Sequence, residues 1–171
     1  MSKQYCDGRS LSEALLKGAN VLADNVSSTL GPRGRNVILQ EKGKTPIITK
    51  DGVTVANFVE LSDPFENLGA QVIKQASQQT AALAGDGTTT SVVLSRAILR
   101  EAQRYLTSGV SPIELKRGID KAVEAIVGRI GEIAKPISSE EDIEHVASIS
   151  ANNDRIIGKL IATAVDKVGK D

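Results

Sequence analysis

The sequence predicts a mainly α-helical protein with one small β-hairpin. Apolar residues recur at helical spacing in several long stretches. Aromatic residues make up only 2% of the 171 residues. The core must therefore be built from Val, Ile, Leu and Ala, which favours helix-on-helix packing over a β-sandwich. Two short apolar runs, at 36–40 and 46–49, flank the turn-rich segment 41–44 and predict the hairpin.

The predicted helices can be placed along the chain from their start signals. Residues 10–13 have the pattern of a capping box ahead of the first helix. Asp51 is expected to cap a short second helix over 53–61. The third spans 68–83, marked by Leu68, Val72, Ile73, Ala76 and Leu83. Two longer helices follow, over 90–106 and from Pro112 to 133. Lys135 and Pro136 end the last of these and form the predicted domain boundary; two shorter helices begin near 139 and 154.

Composition excludes several classes of function. The 21 basic and 21 acidic residues cancel, and no basic tract favours nucleic-acid binding. No apolar run approaches the roughly 20 residues that a membrane span needs. Cys6 is the only cysteine, so an internal disulfide is excluded and a reducing, cytoplasmic location is expected.

The strongest candidate for chemistry is the segment 85–90, with the sequence Gly-Asp-Gly-Thr-Thr-Thr. Glycines let a backbone approach an anion, hydroxyls donate hydrogen bonds, and a helix start offers unpaired N–H groups. The carboxylate of Asp86 would favour a phosphate only through a divalent cation, and Mg²⁺ takes one or two carboxylates together with phosphate oxygens. The six residues alone fit a glycine turn with threonine caps equally well.

Two further segments have the same character. Residues 29–35 follow the first helix and end in Arg33-Gly34-Arg35, and residues 49–52 place Lys50 and Asp51 before the second helix. Taken alone, the first segment fits a simple helix-to-strand turn and the second an N-cap aspartate. No Walker loop and no Gly-x-Gly-x-x-Gly after a strand occurs, which disfavours a P-loop nucleotidase.

In their order along the chain, these segments resemble the group I chaperonins, the GroEL type. The resemblance runs from about Leu16 to Asp171. The matching segments are 21–24, 29–37, 48–56, 65–70, 84–90, 115–123, 149–152 and 166–170. Group II chaperonins share the Gly-Asp-Gly-Thr-Thr-Thr loop, but residues 35–37 and 149–152 are similar to group I.

The resemblance implies an ATP-dependent folding machine, built as a ring of identical subunits, that acts on non-native polypeptides with a GroES-type co-chaperonin. Residues 1–134 would form the N-terminal part of a GroEL-type equatorial ATPase domain, and 135–171 the start of the intermediate hinge domain. Asp86 would hold Mg²⁺ and Asp51 would assist hydrolysis. ATP would be bound by Thr29, Leu30, Gly31, Pro32, Lys50, Gly87, Thr88, Thr89 and Thr90, with Ile149 and Ser150 near the base.

The chain covers only part of the family's pattern. The rest of the hinge with its catalytic aspartate, the apical domain and the C-terminal half of the equatorial domain are not in this sequence. We therefore expect apolar helix faces without their usual cover and weak or absent steady-state ATPase activity for the 171 residues alone. A truncated paralogue acting as a non-hydrolysing interaction module is the alternative.

Overall fold

The structure, a computed structural model, describes residues 4–151 and 153–169. Asn152 and Lys170, which belong to segments that carry the resemblance, lie outside the described residues. Within the described part, helices and a hairpin follow in the predicted order. The elements are α1 Gly8–Ser27, β1 Val37–Leu39, β2 Ile47–Thr49, α2 Gly52–Phe58, α3 Pro64–Ala84, α4 Thr88–Thr107, α5 Pro112–Ile133, α6 Glu140–Ser150 and α7 Arg155–Val168.

The chain divides into two compact units, one ending at Leu115 and the other beginning at Lys116. The first contains α1 to α4 and the hairpin, and the second contains most of α5 with α6 and α7. This division falls inside α5. The domain boundary predicted at Lys135 and Pro136, where the sequence ends the helix, stays a prediction.

The hairpin is confirmed as an antiparallel pair. Val37 lies opposite Thr49, and Leu39 lies opposite Ile47. Leu39 is buried, whereas Ile38 and Ile48 between them are exposed. Strand β2 ends at Thr49, so the hairpin delivers the chain directly to Asp51 and the start of α2.

The core of the first unit depends on a close approach of α1 and α3. A Cβ atom added to Gly18 would lie 1.7 Å from the backbone oxygen of Glu66, and one added to Gly69 would lie 1.9 Å from that of Leu15. The two backbones therefore touch with no side chain between them. Small and branched apolar residues fill the space around this crossing. The buried cluster comprises Ala19, Leu22, Ala23, Val26, Val55, Ala56, Ala70, Ile73 and Val92.

The structure corrects part of the predicted apolar face of α3. Ile73 is buried in the core as the pattern suggests, but Leu68, Val72 and Leu83 are exposed, Leu83 to 89%. The rest of the buried face carries Gly69, Ala70, Lys74 and Ser77. Small residues accompany Ile73 there because α1 lies so close to this face.

The predicted capping box at the start of α1 is also wrong. The helix begins three residues earlier, at Gly8, with Asp7 as the N-cap residue in place of Ser10. Ser10 therefore lies within the first turn, where its hydroxyl donates to the backbone oxygen of Asp7 at 2.9 Å. Among the described residues, no helix has the length and apolar character required to cross a bilayer.

In the second unit, α6 and α7 pack closely and each begins at a predicted cap. The Ser139 hydroxyl accepts the N–H of Asp142, and the Asp142 carboxylate accepts the N–H groups of Ser138 and Ser139, both at 3.1 Å. Gly158 of α7 is buried against Ser148 of α6. Helix α5 has no buried residue, so its apolar face, expected to lack cover, is exposed.

Gly18→Ala should destabilise the first unit by about 1–3 kcal/mol, because its new methyl group would overlap the Glu66 backbone and force α1 and α3 apart. Gly128→Ala in α5 is the matched control, since its added methyl would meet no atom within 4 Å and alanine favours a helix by about 1 kcal/mol. Urea unfolding of both variants tests this. Equal stability of the Gly18 variant and the wild type would show that the two helices can separate freely.

The α6 cap should give the second unit a distinct acid response. Hydrogen bonding, chiefly from the Ser138 N–H and then from Ser139, lowers the pKa of Asp142 from 3.8 to about 2. A depressed carboxyl pKa stabilises the fold fully above the unfolded value, and this stabilisation is lost as pH falls through the folded value. The stability difference between the wild type and Asp142→Asn should therefore shrink between pH 4 and 2.

Thermal unfolding followed by circular dichroism measures that difference, with Glu141→Gln as a control in the same helical turn. A difference that stays constant down to pH 2 would contradict the assignment of the cap.

Candidate phosphate-binding site

The loop 85–90 joins α3 to α4 through two glycines in left-handed conformation. Gly85 has a φ of 71° and Gly87 a φ of 81°. Both values favour glycine, because a Cβ atom would strain the backbone there. The Gly85 N–H donates to the backbone oxygen of Ala81 at 3.0 Å and closes α3. The chain then reverses within two residues and begins α4 at Thr88.

The start of α4 differs from those of α2 and α3, the two helices before it, whereas α1 also begins without a side-chain cap bond. Its N-cap residue is Gly87, which has no side chain to accept a hydrogen bond from the first turn. In α2, α3, α6 and α7 an aspartate or serine accepts such a bond. The first-turn amides of α4, at the positive end of the helix dipole, thus lack a side-chain cap and can bind an anion.

Asp86 lies on the exposed side of this loop. Its Oδ1 accepts the N–H of Gly87 at 2.6 Å. Among the described residues, no three His, Cys, Asp or Glu side chains lie close enough together to hold a metal ion. Mg²⁺ beside phosphates is commonly held by only one or two carboxylates together with phosphate and water oxygens, so a single Asp86 is compatible with such a site.

Asp51 serves as the N-cap of α2, as predicted. Its Oδ2 accepts the backbone N–H of Thr54 at 2.7 Å and also the Thr54 hydroxyl. Its own N–H donates to the Thr49 hydroxyl at 3.0 Å. The two bonds to Oδ2 fix the direction of the carboxylate, which remains exposed, and the third holds the Asp51 backbone.

Gly52 brings three segments together. A Cβ atom added to this buried residue would lie 2.2 Å from Oγ1 of Thr89 and 3.4 Å from Cγ1 of Val26. The start of α2 thus packs against the first turn of α4 and against the end of α1. The segments 49–52 and 85–90, which are far apart in sequence, meet at this glycine, and Val26 of α1 lies beside them three residues before the segment 29–35 begins.

The segment 29–35 follows the end of α1. Thr29 is buried, and its hydroxyl donates to the backbone oxygen of Val26 at 2.8 Å. Leu30, Gly31 and Pro32 are exposed beyond it, and Lys50 is half-buried. A Cβ atom at Gly34 would lie 2.1 Å from the Thr29 backbone oxygen, so the loop folds tightly back on itself.

Ile149 and Ser150 belong to the second unit, where they are the last two residues of α6. Ile149 is 68% exposed. Their role near a nucleotide base stays a prediction.

Sequence reasoning missed the contact between Gly52 and Thr89. A signal was present, because a glycine is unfavourable within a helix unless a neighbour approaches closely. The sequence cannot say which neighbour that is. The burial of Lys74 on α3 was not predicted either.

Comparison with known proteins agrees with the resemblance to chaperonins. Residues 22–171 match the TCP-1/cpn60 chaperonin family. The fold is similar to the crystal structure of the chaperonin gp146 from the Pseudomonas aeruginosa bacteriophage EL, obtained in the presence of ATP-BeFx. The TM-score is 0.77 at 26% sequence identity, and the match covers 96% of this chain. The chain spans 29% of the length of the phage protein.

Asp51→Ala should lower the stability of the first unit by about 1 kcal/mol, because the cap of α2 is lost. Asp51→Asn should cost only a few tenths, since asparagine caps a helix nearly as well. Chemical denaturation of the two variants distinguishes them. If asparagine destabilises as much as alanine does, the carboxylate charge, and not the cap, stabilises this region.

Proposed function

Because the chain belongs to the TCP-1/cpn60 chaperonin family, we propose that its first unit binds ATP with Mg²⁺ and contributes to ATP-driven folding of non-native polypeptides. It is a segment of GroEL type, and its helical bundle with a small hairpin has the predicted equatorial-domain fold. The packing of Gly52 on Thr89 carries the proposal, because it joins the candidate segments 49–52 and 85–90 at the α4 start that lacks a side-chain cap, beside Val26 near the end of α1.

The residues at this position fit a nucleotide phosphate. The amides of Thr88, Thr89 and Thr90 and their hydroxyls would donate to phosphate oxygens. The segment 29–32 would line the nucleotide from the end of α1, and Lys50 would add positive charge. Asp86 would hold Mg²⁺, which neutralises phosphate charge when bound.

Asp51 would assist hydrolysis. Both hydrogen bonds that its carboxylate accepts within the described chain end on Oδ2. Oδ1 is therefore available to orient a water molecule for attack on the terminal phosphate. The cap would therefore hold the Asp51 carboxylate in a fixed direction before a nucleotide binds.

The wider proposals follow from the family. Residues 1–134 would belong to an equatorial domain and 135–171 would begin a hinge, with Ile149 and Ser150 approaching the base. Identical subunits would form a ring, and a GroES-type partner would act with it in the cytoplasm. A non-hydrolysing interaction module has no observation in its favour.

Asp86→Ala should weaken Mg-ATP binding about tenfold or more, because the metal loses its protein ligand. Titration with a fluorescent ATP analogue measures this, with Glu60→Ala as a control at an exposed acid on another segment. In excess EDTA the wild type and the Asp86 variant should bind equally weakly. An Asp86 effect that persists at full size without Mg²⁺ would exclude the metal role.

A further inference from the structure

Lys74 is a lysine on the buried face of α3. Its residue is only 8% exposed. Its Nζ donates to the backbone oxygens of Asn57 at 3.2 Å and Val59 at 3.0 Å. These carbonyls lie at the C-terminal end of α2, where a helix leaves its last acceptors unpaired. The ammonium group therefore caps α2 from a neighbouring helix.

The positive charge of Lys74 is compensated by backbone carbonyl oxygens and, among the described residues, not by a carboxylate. Within the part of the chain that the structure describes, no carboxylate forms an ion pair with it. A buried ammonium is costly unless it is hydrogen-bonded, and the negative end of a helix dipole compensates it. A second hydrogen bond joins α3 to α2 beside it: Gln78 of α3 donates to the side-chain oxygen of Asn57 at 2.8 Å.

The other end of α2 is the candidate site. The helix has only seven residues, so its two ends are about 10 Å apart. Asp51 caps its first turn, and Gly52 packs on Thr89. A short hydrogen-bonded helix moves as one piece, so a restraint on its last carbonyls is also a restraint on its first residues.

We propose that Lys74 is a positioning residue, which holds the C-terminal end of α2 and thereby fixes Asp51 and Gly52 against Thr89. The proposal deepens the nucleotide-binding function above and rests on it, because the positions of Asp51 and Thr89 matter chemically only if a nucleotide binds there. Lys74, which lies outside the candidate loops, thereby determines how well Asp51 and Gly52 are preorganised for a nucleotide.

The test uses the whole 171-residue chain and the Lys74→Met variant, which keeps the length of the side chain but removes its charge and donors. The backbone amide of Thr54 reports on the Asp51 cap directly. Losing hydrogen bonds to a charged group makes local opening of α2 easier, so hydrogen exchange at Thr54 should accelerate about tenfold. Mg-ATP affinity should fall as well, by the factor by which the fraction of molecules in the competent arrangement falls.

Two further variants separate positioning from general stability. Lys17→Met removes another lysine bound to α3, through Glu66 at 2.5 Å, and should leave exchange at Thr54 unchanged. Lys74→Arg keeps the charge and the donors and should restore much of the protection. Equal acceleration at Thr54 and at core amides such as Val92 would show a merely structural role and overturn the proposal.

The two proposals fail in different ways. If the wild type does not bind Mg-ATP, the nucleotide-binding function is wrong, and exchange at Thr54 still decides whether Lys74 holds Asp51. If the wild type binds but Lys74→Met binds equally well, the positioning role is wrong. Should Lys74→Met not fold, Lys74→Gln takes its place, because its shorter neutral side chain removes the charge, with exchange at Thr54 again expected to accelerate; no change there would overturn the proposal.

Discussion

The contact between the backbones of α1 and α3 is the constraint on which the first unit depends. Gly18 and Gly69 allow it, and it leaves room only for small side chains on the shared face. Each of these helices leads into one of the candidate loops, α1 into 29–35 and α3 into 85–90. The candidate site therefore lies at the ends of these two helices. Their relative placement depends on Gly18 and Gly69, which have no Cβ atom at the crossing.

Much of this architecture could be predicted from local signals. Turn residues located the hairpin, and caps such as Asp51, Ser139 and Asp154 located helix starts. These features act over three or four residues, so the sequence alone contains them. The candidate loops were found for the same reason, since glycine and threonine at a helix start are a local pattern.

The features that could not be predicted are long-range. The apolar pattern of α3 indicated a helix and the burial of Ile73 correctly, but not the exposure of Leu68, Val72 and Leu83, because close packing against α1 places small residues on most of the buried face. Likewise, α5 has a wide apolar face that is exposed in this chain. Periodicity shows that a helix is amphipathic, but the neighbour that covers it is decided by tertiary structure.

The two ends of α2 also have an electrostatic consequence. Asp51 places a negative charge at one end and Lys74 a positive charge at the other, separated by about one Debye length at physiological salt. Each charge interacts favourably with the helix dipole. At distances much longer than the helix, however, the electrostatic potentials of the two charges nearly cancel. Among the candidate segments, Lys50, Arg33 and Arg35 are the residues that would contribute positive potential toward a highly charged anion.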